Sequence, residues 1–265
     1  MLDKSFNYLI PFNEKDLIRL GNNYDGGYII SKKSLEKDNF LLSFGMSSDW
    51  SFEEDFIKEN KLNKVHIYDH TVDLNFFLIR LYKSFKRIFY FKSNLKNFLD
   101  KIKELKKFIK LKNSNIIHFK KKVGNEKSSL SINLNDIISQ TNHSGKMILK
   151  IDIEGDEFKI LRDLYIFEDK IHTLIVEFHN LDKRLSEFEN LIKKIKKNFY
   201  IIHLHGNNNT GYSEHDLPKT LEITFLNFKD FFHNNEQTKL KFPITNIDYP
   251  NHPQIKDMEI IFNNE

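Results

Sequence analysis

Seven short β-rich runs, at residues 40–44, 65–68, 116–119, 147–151, 174–177, 200–204 and 221–225, alternate with helical patterns along the chain. That alternation is the signature of a mostly parallel sheet with helices on both faces. Four of the runs close on polar residues, namely Gly45, Asp69, Asp152 and Glu177. In open α/β sheets, ligands lie at the carboxyl ends of the strands, where the strand order reverses. The polar residues therefore fall where a site belongs.

Between the second and third runs, residues 73–112 carry Leu74, Phe77, Leu81, Phe85 and Ile88 at helical spacing, then Leu95, Phe98, Ile102, Leu105 and Ile109. The spacing predicts one or two amphipathic helices, longer than a minimal crossover. The other face carries Lys83, Lys86, Arg87, Lys92, Lys96, Lys101, Lys103, Lys106, Lys107 and Lys110. Such a stripe suits an anionic membrane or a phosphorylated acceptor. The plainer reading is a solvated face of a crossover helix or a homodimer contact.

With 265 residues, 5 Pro, 9 Gly and no linker-like stretch, the chain reads as a single domain. Within it, 1–39 form an N-terminal segment, 73–112 the helical insertion and 226–265 a closing segment. Cysteine is absent, which excludes disulfides, thiolate metal sites and cysteine nucleophiles. The Met1-Leu2-Asp3-Lys4-Ser5 start has no apolar signal core, and no run approaches membrane-spanning length, so a cytoplasmic protein is expected. A net charge of +4 is too small to argue for nucleic acid.

The first run leads into Ser43-Phe44-Gly45-Met46-Ser47-Ser48-Asp49-Trp50 and then Glu53, Glu54 and Asp55. Gly45 permits a sharp turn and close approach of a ligand. A dinucleotide fingerprint needs three glycines here, and one is present. The three acids at the following helix start would also oppose a pyrophosphate. Asp69, followed by His70, ends the second run, where an acid can accept hydrogen bonds from ribose hydroxyls. Capping of the next turn is the plainer role.

The fourth run, Met147 to Ile151, is apolar, yet Lys150, Asp152 and Glu154 share one alternating face. Buried strands rarely end in three charges unless these serve one another or a ligand. Lys150 can pair with a carboxylate, and Asp152 can reach a cofactor or acceptor. Glu177 and His179 share a face of the fifth run, and His203 and His205 emerge from the sixth. Asp152, Glu177 and His179 have the donor chemistry for Mg, Mn or Zn, although their spacing specifies no metal.

Lys150-Ile151-Asp152-Ile153-Glu154-Gly155, followed by Glu157 and Leu161, resembles the hallmark segment of the FkbM family of methyltransferases. So do Arg19-Leu20-Gly21 with Tyr24-Asp25-Gly26-Gly27-Tyr28, the Ser43–Gly45 loop with Asp49-Trp50-Ser51-Phe52-Glu53, and Val176-Glu177-Phe178-His179. His205-Gly206-Asn207-Asn208 and Tyr249-Pro250-Asn251-His252-Pro253 complete the resemblance, in order from Arg19 to Pro253. It implies a class I, Rossmann-like, seven-stranded sheet with the last strand antiparallel. It implies S-adenosylmethionine over Gly45, contacted by Ser43, Phe44 and Ser47, with Asp69 and His70 at the ribose and Asp152 nearby. Arg19, Asp25, Gly26 and Gly27 would fold over its amino-acid end, although the same glycines suit a hairpin turn. S-adenosylhomocysteine would be the product.

Many relatives methylate saccharide hydroxyls in bacterial surface polysaccharides, so a saccharide, phosphorylated or lipid-linked acceptor is expected. His179 is the first candidate for general base, with Asp152 and His205 behind it. A nucleotide- or nicotinamide-dependent sugar enzyme and a catalytically silent binding module on the same scaffold are the alternatives.

Overall fold

The computed structural model describes residues 1–36, 40–59, 62–90, 94–111, 115–124, 128–231 and 236–263. All seven expected runs are strands. They are β3 (Phe40–Phe44), β4 (Lys64–Tyr68), β5 (Ile116–Phe119), β8 (Met147–Ile151), β9 (Ile171–Phe178), β10 (Phe199–Gly206) and β11 (Leu221–Asn227). An antiparallel hairpin precedes them, β1 (Leu17–Leu20) with β2 (Tyr28–Ser31), and a short parallel pair lies between β5 and β8, β6 (Lys122–Val123) with β7 (Ser131–Ile132).

The main sheet runs β10-β11-β9-β8-β3-β4-β5. Its members pair in parallel from β9 to β5, and β11 is antiparallel to both neighbours. The chain fills one half of the sheet from β3 outward to β5, then returns to start the other half at β8. The strand order therefore reverses between β3 and β8, and the crevice there is the expected ligand position. The seven-stranded class I methyltransferase arrangement is thus present, antiparallel last strand included.

Alternation along the strands divides the core in two. One face presents Phe40, Leu42, Phe44, Leu149, Ile151, Leu174 and Val176 to helices α4 (Leu134–Gln140), α5 (Glu157–Leu161) and α6 (Leu181–Ile195). The other presents Leu41, Val65, Ile67, Ile148 and Ile175 to the β1–β2 hairpin and helix α1 (Ser51–Glu59). Helices α2 (Leu74–Phe89) and α3 (Leu95–Leu111) join that second core through Phe77, Phe108 and Leu111. Each buried phenylalanine contributes roughly 1.5–3 kcal/mol.

The expected insertion is this α2–α3 pair, an antiparallel hairpin serving as the β4-to-β5 crossover. Asp73 caps α2 by accepting from the Phe76 amide. Its far end is strongly exposed, with Phe89 at 74% and Leu95 at 63%. Of the basic stripe, Lys83, Lys86, Arg87, Lys96, Lys103, Lys106 and Lys110 are exposed, while Lys107 pairs with Glu54 and Lys101 with Glu104. Lys92 lies outside the described residues. Among the described residues, no helix is long and apolar enough to cross a membrane.

Candidate active site

At the β3/β8 crevice, the two strand ends touch. Gly45 has φ +88°, and a Cβ there would stand 1.7 Å from the Asp152 carbonyl oxygen. Only glycine allows this approach. Asp69, at the end of β4, accepts from the Met46 and Ser47 amides on Oδ2, both at 2.9 Å. Its Oδ1 accepts from the Thr71 amide and hydroxyl at 2.7 and 2.6 Å. Burial raises its pKa, but these four hydrogen bonds outweigh burial and hold the carboxyl below its ordinary value. Asp69 is thereby the clamp that shapes the Gly45 turn, and its lone pairs are largely spent on its own chain.

Beside this turn lies a cavity of about 340 Å³, walled by residues 45–47, 68–71, 121–123 and 152–154. Gly45, Ser47, Asp69, His70 and Asp152, all named from the sequence, line it. Ser43 and Phe44 do not. Both are fully buried, Phe44 in the core and Ser43 donating to Glu53. The acids of α1 are also placed otherwise than the sequence reading assumed. Glu53 turns inward to Lys150 at 3.6 Å, Glu54 pairs with Lys107, and Asp55 accepts from the Gly21 amide. Each is engaged by the protein, so the case against a pyrophosphate rests on the missing glycines alone.

The Arg19–Tyr28 segment is the β1–β2 hairpin, docked on the start of α1. Arg19 donates to the Asn22 and Tyr24 carbonyls at 2.7 and 2.8 Å, bracing its own turn. Gly27 is required there, since a Cβ would stand 2.0 Å from the Asn22 oxygen, and Gly26 abuts the Asp49 carboxylate. Asp25 sits close to Asp152 and Glu222. Partial desolvation, then the charges of those two acids, raises its pKa.

Under the hairpin, the sheet face carries a polar row. Glu177 on β9 pairs in register with Glu222 on β11, and Glu222 with His205 on β10. Asp152 continues the row past the end of β8. The Tyr28 hydroxyl lies 2.8 Å from Asp152 Oδ2 and 3.2 Å from Glu177 Oε2, joining hairpin to row. Glu177 also accepts from Asn207 at 2.9 Å. Burial, and then Asp152 and Glu222, push the Glu177 pKa well up.

His179 stands where the row meets the cavity. Its Nδ1 is 3.0 Å from Oε1 of the fully buried Glu157. Burial disfavours its charge, but Glu157 and Glu177 outweigh burial and raise its pKa to about 9. His205 is 1% exposed and held at both ring nitrogens, by Glu222 at 3.4 Å and Asp257 at 3.1 Å. Burial again opposes its charge, yet these partners raise it to about 10. Both shifts work against the neutral ring that a general base needs. Asp152, the next candidate, lines the cavity, and among the described residues its Oδ1 makes no hydrogen bond, with His179 Nε2 at 3.9 Å.

Of the three expected metal donors, Asp152 and His179 come together and Glu177 is beside them, its Oε1 3.8 Å from His179 Nε2, while also held by Tyr28 and Asn207. The third donor grouped with them is Glu154, within a set whose ligand atoms all lie within 4.8 Å of one another. Glu154 adopts φ +56°, left-handed and costly for a residue with a side chain. Glu157 figures in the sequence only as part of the hallmark segment, with no role attached, and Asp257, which lies 52 residues from His205, was not singled out.

No protein-family model and no curated protein matches the sequence. Solved structures similar to the chain include the 23S rRNA methyltransferase ErmE, at 12% identity and TM-score 0.38, covering 78% of this chain and 70% of that one. The plantazolicin methyltransferase BpumL in complex with SAH is similar at 12% identity and TM-score 0.36, covering 74% and 79%. The Methanococcus jannaschii fibrillarin pre-rRNA processing protein is similar at 10% identity and TM-score 0.38, covering 73% and 68%. Likeness at these levels bears on the fold alone.

Proposed function

We propose that the chain is an S-adenosylmethionine-dependent O-methyltransferase acting on a hydroxyl of a saccharide or phosphorylated small molecule. The observation that carries this reading is the cavity at the β3/β8 switch point, lined by Gly45 and by the acids Asp69, Asp152, Glu154 and Asp156. Carboxylates at that edge favour a cationic ligand, and a sulfonium with its amino group is one. The single-glycine loop offers no cradle for a pyrophosphate, which disfavours the nicotinamide alternative. S-adenosylmethionine would lie against residues 45–47 and 69–71.

The sulfonium supplies an activated methyl group when bound. The protein's part is to align the acceptor oxygen, and orientation can contribute roughly 7–11 kcal/mol. Asp152, at the cavity wall, would take the proton of the acceptor hydroxyl as its oxygen is methylated. Glu157 fixes the His179 ring, so that Nε2 faces Asp152, Glu154 and Glu177. Lys121, and Lys122 beside its partner Asp156, also line the cavity and would add positive charge for a phosphoryl group on the acceptor.

The α2–α3 hairpin supports a lipid-linked acceptor met at a membrane surface. Residues 74–111 hold eleven Lys or Arg against two acids, which leaves the remainder of the chain net negative. Exposed Tyr82, Phe85, Phe89 and Leu95 stand among these cations. Aromatic and aliphatic side chains set among lysines fit an anionic bilayer interface. A second copy of the same basic hairpin would be repelled.

Calorimetric titration with S-adenosylmethionine and S-adenosylhomocysteine, with NAD and UDP-sugars as controls, tests the central claim. Micromolar binding of the first pair alone is expected. Binding of the controls instead, or of none with folded protein, overturns it.

A further inference from the structure

His179 is largely buried, its side chain 11% exposed, yet among the described residues only one of its ring nitrogens is hydrogen-bonded. Nδ1 is fixed by Glu157, whose carboxylate is itself fixed by the His179 and Gly155 amides, both at 2.7 Å. Nε2 is aimed at three carboxylate oxygens, Glu154 Oε2 at 3.6 Å, Glu177 Oε1 at 3.8 Å and Asp152 Oδ1 at 3.9 Å. All three are too far for hydrogen bonds. They are, however, near the spacing of donors that share one ion. Metal–ligand bonds of about 2.0–2.2 Å put neighbouring donors roughly 3.0–3.5 Å apart. The ligand atoms of Asp152, Glu154 and His179 all lie within 4.8 Å of one another, so the side chains would draw in around a bound ion.

The arrangement behind the ring points the same way. A histidine that ligates a metal through one nitrogen almost always donates its other N–H to a carboxylate, which fixes the tautomer and ring orientation. Glu157 occupies that position, buried and rigidly held. The donors come from three places: the end of β8, the left-handed turn after it, and the end of β9. Glu154 is the exposed member, its side chain 88% accessible, and gives the ion a way in.

We propose that Asp152, Glu154 and His179 form a divalent-cation site of the Mn²⁺ type, with Glu177 as a neighbouring oxygen donor. Two carboxylates and one imidazole leave coordination positions open toward the cavity. The ion's role in turnover rests on the methyltransferase reading: an acceptor hydroxyl on an open position would lose its proton more readily. The site itself does not rest on that reading.

The test is titration of chelator-stripped protein with Mn²⁺, following the loss of the free-ion electron paramagnetic resonance signal, without S-adenosylmethionine. One site of micromolar affinity is expected. His179→Gln and Glu154→Gln should each weaken it at least tenfold. Glu154 is exposed, so its variant tests the site without disturbing the core. Asp156→Asn, in the same turn but paired with Lys122 and Lys159, should leave the affinity unchanged. No binding below millimolar Mn²⁺, or equal weakening by all three variants, overturns the proposal. Calorimetry with S-adenosylmethionine is a separate measurement, so failure of one reading is distinguishable from failure of the other.

Discussion

Glu157 holds His179 twice through a single oxygen: Oε1 accepts from the His179 amide at 2.7 Å and stands 3.0 Å from Nδ1. Backbone and ring are thus fixed by one buried carboxylate from the start of α5. Glu157→Gln should lower the imidazole pKa from about 9 toward its ordinary range, read by histidine NMR titration. It should also cost about 1–3 kcal/mol in urea denaturation. An unmoved pKa would mean that the other acids alone hold the proton.

Gly45→Ala forces a Cβ onto the Asp152 carbonyl at a positive φ. The backbone cost alone is about 1–3 kcal/mol. Because the same contact shapes the crevice, S-adenosylmethionine affinity should fall more than stability suggests. Calorimetry beside thermal denaturation separates the two effects.

His205 makes stability depend on pH at the alkaline end. Its folded pKa, about 10, lies above the unfolded value, so the folded state binds the extra proton. The stabilisation is fully present below about pH 6.5 and is lost as pH rises through 10. Glu222, Asp257 and, through His203, Asp248 are the acids facing it. Urea midpoints should decline from pH 6.5 to 10, and Asp257→Asn should flatten that decline.

If the hairpin meets an anionic bilayer, each basic residue near the surface contributes about 1 kcal/mol. Replacing Lys83, Lys86 and Arg87 together by Gln should lower partitioning onto phosphatidylglycerol vesicles about a hundredfold. Neutral phosphatidylcholine vesicles should bind weakly in both cases. Concentration-dependent dimerisation with no vesicle binding would assign the face to a second copy instead.

The strands were legible because apolar runs of four to eight residues bounded by polar ends survive in the sequence as local patterns. The hairpin insertion was legible for the same reason, since ten apolar positions keep helical spacing. What stayed hidden is non-local. The Tyr28 hydroxyl reaches Asp152 across 124 residues, and His205 meets Asp257 across 52. Asp69 was placed correctly at a strand end, but four bonds from its own turn are invisible in the order of residues. The sequence also cannot show how many carboxylates the fold brings to a histidine, and that number decides how tightly its ring holds a proton.

Strand β11 lies between β9 and β10, although it follows both in the chain. During synthesis, therefore, β10 has no neighbour in the sheet until about residue 227 has left the ribosome. The first five strands can assemble beforehand, with the Gly45 turn and its Asp69 clamp. Glu222 arrives last, and with it the acidic row and the enclosure of His205. A nascent chain thus builds the wall for a ligand well before it gathers the charges that would attract one.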